Sequence, residues 1–290
     1  MASRASRPRQ NVPELPEVET VRRGLEKVLP GRRADRVVVT GRRTVRRQSP
    51  GELVSRLTHR RFGPPDRRGK YLSLPLDDGQ VLVVHLRMSG QLTWVERPAE
   101  VAPPNHTHVV VGLDDGSELR FTDPRTFGEW FVTDELGAGG LPAIFDLLGP
   151  DPIAEGLSTT ELAGILANRS SALKTVLTDQ RAIAGIGSIY ADEICFAAAL
   201  RPDRPARSLS RDEVRQLAAK LRSVLRAAVK ARGSSLRDAS YRDLMGELGG
   251  YQARHCVYDR AGEPCRRCGG RVTRVRFGAR TAFCCPDCQV

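Results

Sequence analysis

Between Glu17 and Leu29 the apolar residues Val18, Val21, Leu25 and Val28 recur at spacings of three and four, which predicts one buried face of a helix. Pro13 and Pro16 sit just ahead of it or in its first turn, where proline is tolerated. Short runs then follow that are rich in β-branched residues: RVVVT, YLSLPL, QVLVVHL, QLTWV, HVVVGL and ELRFT. They predict strands, and the turn signals DDGQ and DDGS between two pairs of them predict hairpins. Alternation within the runs is imperfect, but the first half reads as a β-sandwich, in preference to a barrel, behind one helix.

The pattern changes near LGAGGLPAIFDLLGPDP, where Gly and Pro punctuate the chain and helical periodicity takes over. Ser158 with Glu161, and Ser210 with Glu213, have the spacing of capping boxes opening two helices. In the second, Val214, Leu217, Leu221, Val224 and Ala228 form a stripe expected to pack. The turn at Gly185 and Gly187 precedes a further helical pattern. Free N–H groups at such a helix start can bind phosphate, and an ordinary helix–helix turn is the alternative. From Tyr251 onward the chain is rich in cysteine and short of large apolar side chains, and no internal repeat is visible.

Length and charge narrow this picture. A chain of 290 residues suggests two or three domains. The net charge of +12 favours a polyanionic partner, nucleic acid ahead of an anionic membrane. No run approaches the roughly 18 apolar residues of a spanning helix. The first residues, MASRASRPRQNV, lack the apolar core of a secretory signal.

Six of the seven cysteines fall in the last 35 residues, which argues for a metal site and against a disulfide framework. Cys265 and Cys268 in CRRC, and Cys285 and Cys288 in CPDC, have the spacing of a four-thiolate zinc site. A segment this small needs the metal to fold. Cys284 competes with Cys285 but breaks the spacing, and Cys195 and Cys256 are expected to be buried thiols. The arginine-rich stretch between the two pairs is a candidate DNA contact.

In chain order, PELPEVET, RRGKYL, HLRMSG, TDPRTFG, GIGSIYADE, GEPCRRC and CPDC resemble the motifs of the formamidopyrimidine-DNA glycosylase family, bacterial enzymes that excise oxidised purines. The resemblance runs from Pro13 to Cys288. It implies an α+β multi-domain protein: an N-terminal β-sandwich with a leading helix over 13–140, a helical helix–two-turns–helix domain over 150–248, and a C-terminal zinc ribbon over 256–290. Residues 1–12 are then a tail, or lie upstream of the true start. The implied activity is that of a bifunctional glycosylase/AP lyase of base excision repair, which flips out a formamidopyrimidine or 8-oxoguanine and cuts the strand by β,δ-elimination. By resemblance, Pro13 is the nucleophile and forms a Schiff base, and Glu14 is the proton donor and general acid–base. Glu17 positions the site, and Lys70 contacts phosphate and helps protonate or expel groups. Met88, Arg125 and Phe127 resemble the side chains that fill the gap left by the flipped nucleotide; core packing is the alternative for Met88 and Phe127. His106, Arg125, Lys174, Ser188 and Arg280 match DNA-contacting positions. One structural zinc ion, damaged double-stranded DNA as partner, a monomeric state and a bacterial, nucleoid-associated cytoplasmic location complete the expectation.

This chain departs from the family pattern in three places. Pro13 is internal, and its nitrogen is then an amide whose lone pair is delocalised into the carbonyl. Initiation at Val12 followed by removal of the initiator would free it. With the upstream residues retained, the chain would be a DNA-binding relative without the chemistry. Ser188 stands where the family has asparagine and Ala282 where threonine is common, so weaker DNA binding is expected without loss of chemistry. Gly249–Arg260 lies where the lesion-reading loop would be. An endonuclease-VIII-like pyrimidine glycosylase is the other enzymatic reading, and the leucine after Glu14 favours the purine branch.

Overall fold

The computed structural model describes residues 13–137, 139–236, 241–278 and 280–290. The expected tail, residues 1–12, lies outside them.

The first half runs α1 (Leu15–Val28), β1 (Ala34–Val39), α2 (Pro50–Leu57), β2 (Asp66–Arg68), β3 (Tyr71–Pro75), β4 (Val81–His85), β5 (Gln91–Val95), β6 (Thr107–Leu113), β7 (Glu118–Thr122) and β8 (Glu129–Thr133). Two antiparallel sheets form, in the orders β1-β6-β7-β5 and β2-β3-β4-β8. Val109, Val111, Leu119, Phe121 and Leu92 of the first face Leu72, Leu74, Leu82, Val84, Trp130 and Val132 of the second in one core. This is the expected sandwich. The periodic face of α1 closes the core with Val18, Val21 and Leu25.

The weak alternation in β4 has a packing cause. Leu82 and Val84 point into the sandwich, whereas Val81 and Val83 meet Phe131 and Phe145 on the outer face. Phe145 comes from a 3₁₀ turn, Ala143–Leu147, that covers this sheet. A strand buried on both faces reads as a continuous apolar run.

The second half contains α3 (Thr159–Ala167), α4 (Leu173–Leu177), α5 (Ser188–Ala197) and α6 (Arg211–Lys230), then the hairpin β9 (Thr273–Phe277) and β10 (Arg280–Cys284). Both predicted capping boxes form: Ser158 accepts from Glu161 N at 3.2 Å and Ser210 from Glu213 N at 3.3 Å. The whole α6 stripe is buried. Its core continues into the hairpin through Val272 and Phe283.

The two halves exchange side chains. Leu15 of α1 is buried in the helical core. Tyr241 and Leu244, expected within the helical segment 150–248, instead bury in the sandwich core, and Trp94 N donates to Leu244 O at 2.8 Å. A buried ionic joint adds to this. Arg67 in the middle of β2 donates to Glu19 of α1 at 3.1 Å and, with two nitrogens, to Asp151. Asp151 also accepts from Gly69 N at 2.8 Å, next to Lys70. Among the described residues no helix is long and apolar enough to cross a membrane.

Candidate active site and nucleic-acid interface

The prolines of PELPEVET place two glutamates at the head of α1, where the backbone is pinned on both sides. Glu14 N donates to the Glu17 carboxylate at 2.9 Å, and Leu15 N donates to Gly185 O at 2.9 Å. Pro13, immediately before them, is buried.

The Glu14 carboxylate lies against the N-terminus of α5. It accepts from Gly187 N at 2.6 Å, Ile189 N at 2.9 Å and Tyr190 N at 3.4 Å. The turn expected to cradle phosphate therefore already holds an acceptor of its own, the Glu14 carboxyl group. Glycine is required there, since a Cβ on Gly187 would lie 2.4 Å from the Glu14 carboxyl carbon. Ser188, at the first position of α5, is exposed. Burial pushes the Glu14 carboxyl up, against the opposing pull of Lys70 and the three amides.

Glu17 is fully buried and accepts from the Tyr190 hydroxyl at 2.5 Å and from Ser234 N at 2.7 Å. Burial, and then the charge of Glu14, raise it to about 7. Lys70 is half-buried beyond β2. Burial lowers its ammonium below the ordinary lysine range, opposed by the charges of Glu14 and Glu17. The structure thus brings together Pro13, Glu14, Glu17 and Lys70 from the ends of α1 and β2, roofed by α5. With Glu17 near 7, such a set can hold or release a proton near neutral pH.

Met88 and Phe127 are not core residues, so the packing alternative is set aside for both. Met88 is half-buried in the β4–β5 turn, and Phe127 is 42% exposed in the β7–β8 turn. The guanidinium of Arg125 lies 4.9 Å from the Phe127 ring. Asp123, fully buried and unremarkable in the sequence, ties these turns together. It accepts from the Ser89 hydroxyl, from Arg125 N at 3.2 Å and from Gly128 N at 2.7 Å. His106 is exposed on the loop before β6.

Lys174 does not lie where the phosphate expectation put it. It is 1% exposed, and its ammonium donates at 2.8 Å to both Asp192 of α5 and Thr281 O of β10. Asp192 also accepts from Phe283 N at 3.1 Å. A buried ammonium needs a partner charge, and here the pair pins the hairpin to the helical core. Arg280 is exposed, and it donates to the Thr178 hydroxyl at 2.7 Å.

The sulfurs of Cys265, Cys268, Cys285 and Cys288 lie within 4.8 Å of one another. The Cys268–Cys285 and Cys265–Cys288 separations are 3.5 and 3.9 Å. A tetrahedral zinc with bonds of about 2.3 Å needs sulfur–sulfur edges of about 3.8 Å, so the set fits one ion. Cys284 turns away to Thr273. Cys195 is buried as expected, whereas Cys256 is only half-buried. Sequence reasoning missed Tyr190, Ser234, Asp192 and Asp123, because nothing local distinguishes them.

Comparisons with known proteins agree with this geometry. Residues 12–130 match the formamidopyrimidine-DNA glycosylase N-terminal domain, 148–240 its H2TH domain, and 262–290 the zinc finger found in FPG and IleRS. The formamidopyrimidine-DNA glycosylase of Herpetosiphon aurantiacus is 41% identical over 281 residues, covering 96% of this chain and 100% of that protein. That of Moorella thermoacetica is 44% identical, covering 91% of this chain and 95% of the relative. The MutM (Fpg) crystal structure from Thermus thermophilus superposes with a TM-score of 0.83 at 40% identity, covering 96% of this chain and 98% of that one. Lactococcus lactis Fpg in complex with DNA containing an abasic site gives 0.85 at 31% identity, covering 95% and 99%. With its sandwich, helical domain and four-thiolate finger in this order, the chain belongs to the formamidopyrimidine-DNA glycosylase family.

Proposed function

We propose that the protein is a bifunctional DNA glycosylase/AP lyase that excises oxidised purines from double-stranded DNA, with Pro13 as its mature N-terminus. The observation that carries this reading is the Glu14–Glu17–Lys70 group gathered beside the buried Pro13. A Pro13 freed of its predecessor is a secondary amine with a pKa near about 8, so a neutral fraction exists at pH 7. Its lone pair forms the bond to C1′, and the base leaves with the electrons of the glycosidic bond. The amine loses its proton, Glu14 protonates the ring oxygen, and the C1′–O4′ bond breaks with its electrons to that oxygen while the nitrogen lone pair forms the C=N bond of the iminium. Removal of a C2′ proton then expels the 3′-phosphate, and a second elimination expels the 5′-phosphate.

Met88, Arg125 and Phe127 occupy the vacated stack in this reading, while His106, Ser188 and Arg280 contact the backbone. Lys174 acts through the hairpin it anchors. The four cysteines hold one zinc ion, which is structural: it folds the finger and takes no part in the chemistry. The enzyme works as a monomer on the bacterial nucleoid.

The test is the intact mass and N-terminal sequence of protein purified from its native host, followed by borohydride trapping on a duplex carrying 8-oxoguanine or a formamidopyrimidine. A chain beginning at Pro13 and a covalent adduct are expected. Retention of residues 1–12 with no adduct would leave a DNA-binding relative. Preference for an oxidised pyrimidine in the same assay would move the chain to the endonuclease-VIII-like branch.

A further inference from the structure

Proton traffic at the carboxyl pair poses a problem. Glu17 is fully buried and Glu14 only 2% exposed, and bound DNA would cover the cleft side. A hydrogen-bonded chain leads from Glu17 to a pocket. The Tyr190 hydroxyl donates to Glu17 at 2.5 Å and lies 3.3 Å from the Ser234 hydroxyl. Ser234 Oγ is 2.9 Å from His255 Nε2. Tyr190 and Ser234 are fully buried and His255 is 4% exposed. His255 also lines a pocket of about 340 Å³, together with Gln252, Tyr258, Arg260 and Arg266.

We propose that His255, Ser234 and Tyr190 form a proton relay joining Glu17 to this pocket. The inference rests on the glycosylase reading above. When Glu14 gives its proton to the sugar, one proton enters from pocket water at His255 Nδ1. The Nε2 proton passes to Ser234 Oγ, the serine proton to the Tyr190 oxygen, and the tyrosine proton to Glu17. One proton crosses, and each relay residue ends neutral. The return flow runs when the pair takes a proton from C2′.

The electrostatic setting suits the task. Glu14 and Lys70 face Glu17 beside Tyr190, and the Tyr241 hydroxyl donates to Glu17 O at 3.3 Å. Around His255 stand Arg260 and Arg266, the rings of Tyr251 and Tyr258, and Asp259 and Glu263 at the pocket. Glu193 of α5 fixes the adjoining backbone by accepting from Cys256 N, Val257 N and Tyr258 N. Burial and the two arginines lower His255 to about 4. It is therefore a neutral imidazole at working pH, an acceptor at one nitrogen and a donor at the other. Such a ring passes protons without storing charge.

The test is the single-turnover rate of borohydride-trappable imine on an oxidised-purine duplex, between about pH 5 and pH 8. His255→Ala and Ser234→Ala should each slow it about tenfold, within the range of lost acid–base assistance. DNA affinity should fall far less than the rate, since both side chains are buried. Imidazole added to His255→Ala should restore the rate saturably, since the enlarged pocket admits it. His255→Gln refills the space and can still bond Ser234, yet it cannot pass a proton between two ring nitrogens, so it should remain slow. Native rates in His255→Gln, or a loss in His255→Ala that imidazole leaves unrepaired, overturn the relay. Absence of imine in the unaltered protein overturns the glycosylase reading instead.

Discussion

Glu14 and Glu17 stand three residues apart yet do different work. Glu14 is gripped by backbone amides at the head of α5, whereas Glu17 meets a phenol, one amide from a distant loop and the backbone N–H of Glu14. Glu14→Gln should abolish excision while leaving DNA binding intact, measured by cleavage and by titration on the same duplex. Glu17 also costs the fold something. Its carboxyl titrates at about 7 when folded and near 4.5 when exposed, so the native state binds more protons than the unfolded chain between these values. Stability therefore falls as pH rises through that window. Glu17→Gln should flatten this dependence, its melting temperature changing less than that of the native protein between about pH 4.5 and pH 7, as seen by melting at each pH. Both glutamates were legible in the sequence only through their motif. Tyr190 and Ser234 were not, because their roles come from positions far along the chain. Lys174 was misplaced for the same reason, since depth below the surface leaves no mark on a single lysine.

Most elements followed from period and punctuation. The α1 and α6 stripes, both capping boxes and the two hairpin turns were visible in the sequence and are present. The exceptions were α2, β2, α4 and β8, short segments of at most eight residues. For α2 the signal existed, a Ser49–Glu52 box with Pro50 between them. The head of α5 is the element most sensitive to a small change. Gly187→Ala drives a methyl into the Glu14 carboxylate. It should cost about 1–3 kcal/mol of stability and most of the imine-forming activity, read by melting and by borohydride trapping. The zinc finger responds as a unit. Cys265→Ala should release the metal and weaken DNA binding together, and full affinity in the metal-free protein would exclude the finger from the interface.

For the molecule as a whole, the sequence announced the excess of positive charge but not how the halves are joined. The joint is ionic and buried: Arg67 is 3% exposed, Glu19 6% and Asp151 fully buried. Breaking a buried pair by removing one partner costs about 3–5 kcal/mol. Asp151→Ala should lower the melting temperature accordingly and loosen Lys70, which follows Gly69 in the same loop. The net charge of +12 predicts that DNA affinity falls linearly with salt on logarithmic axes. Arg280→Ala should lower that slope by about one unit.

The hydrogen bonds that define the reaction centre also impose an order of events. Gly187 and Ser234 reach their glutamate partners across separations of 173 and 217 residues. During synthesis Pro13, Glu14 and Glu17 are among the first residues to emerge from the ribosome, and the groups that organise them emerge long afterwards. A nascent or truncated chain ending before Ser234 carries Glu14 and Glu17 without their full set of partners. Any activity that needs these contacts is thereby withheld until residue 234 has been made.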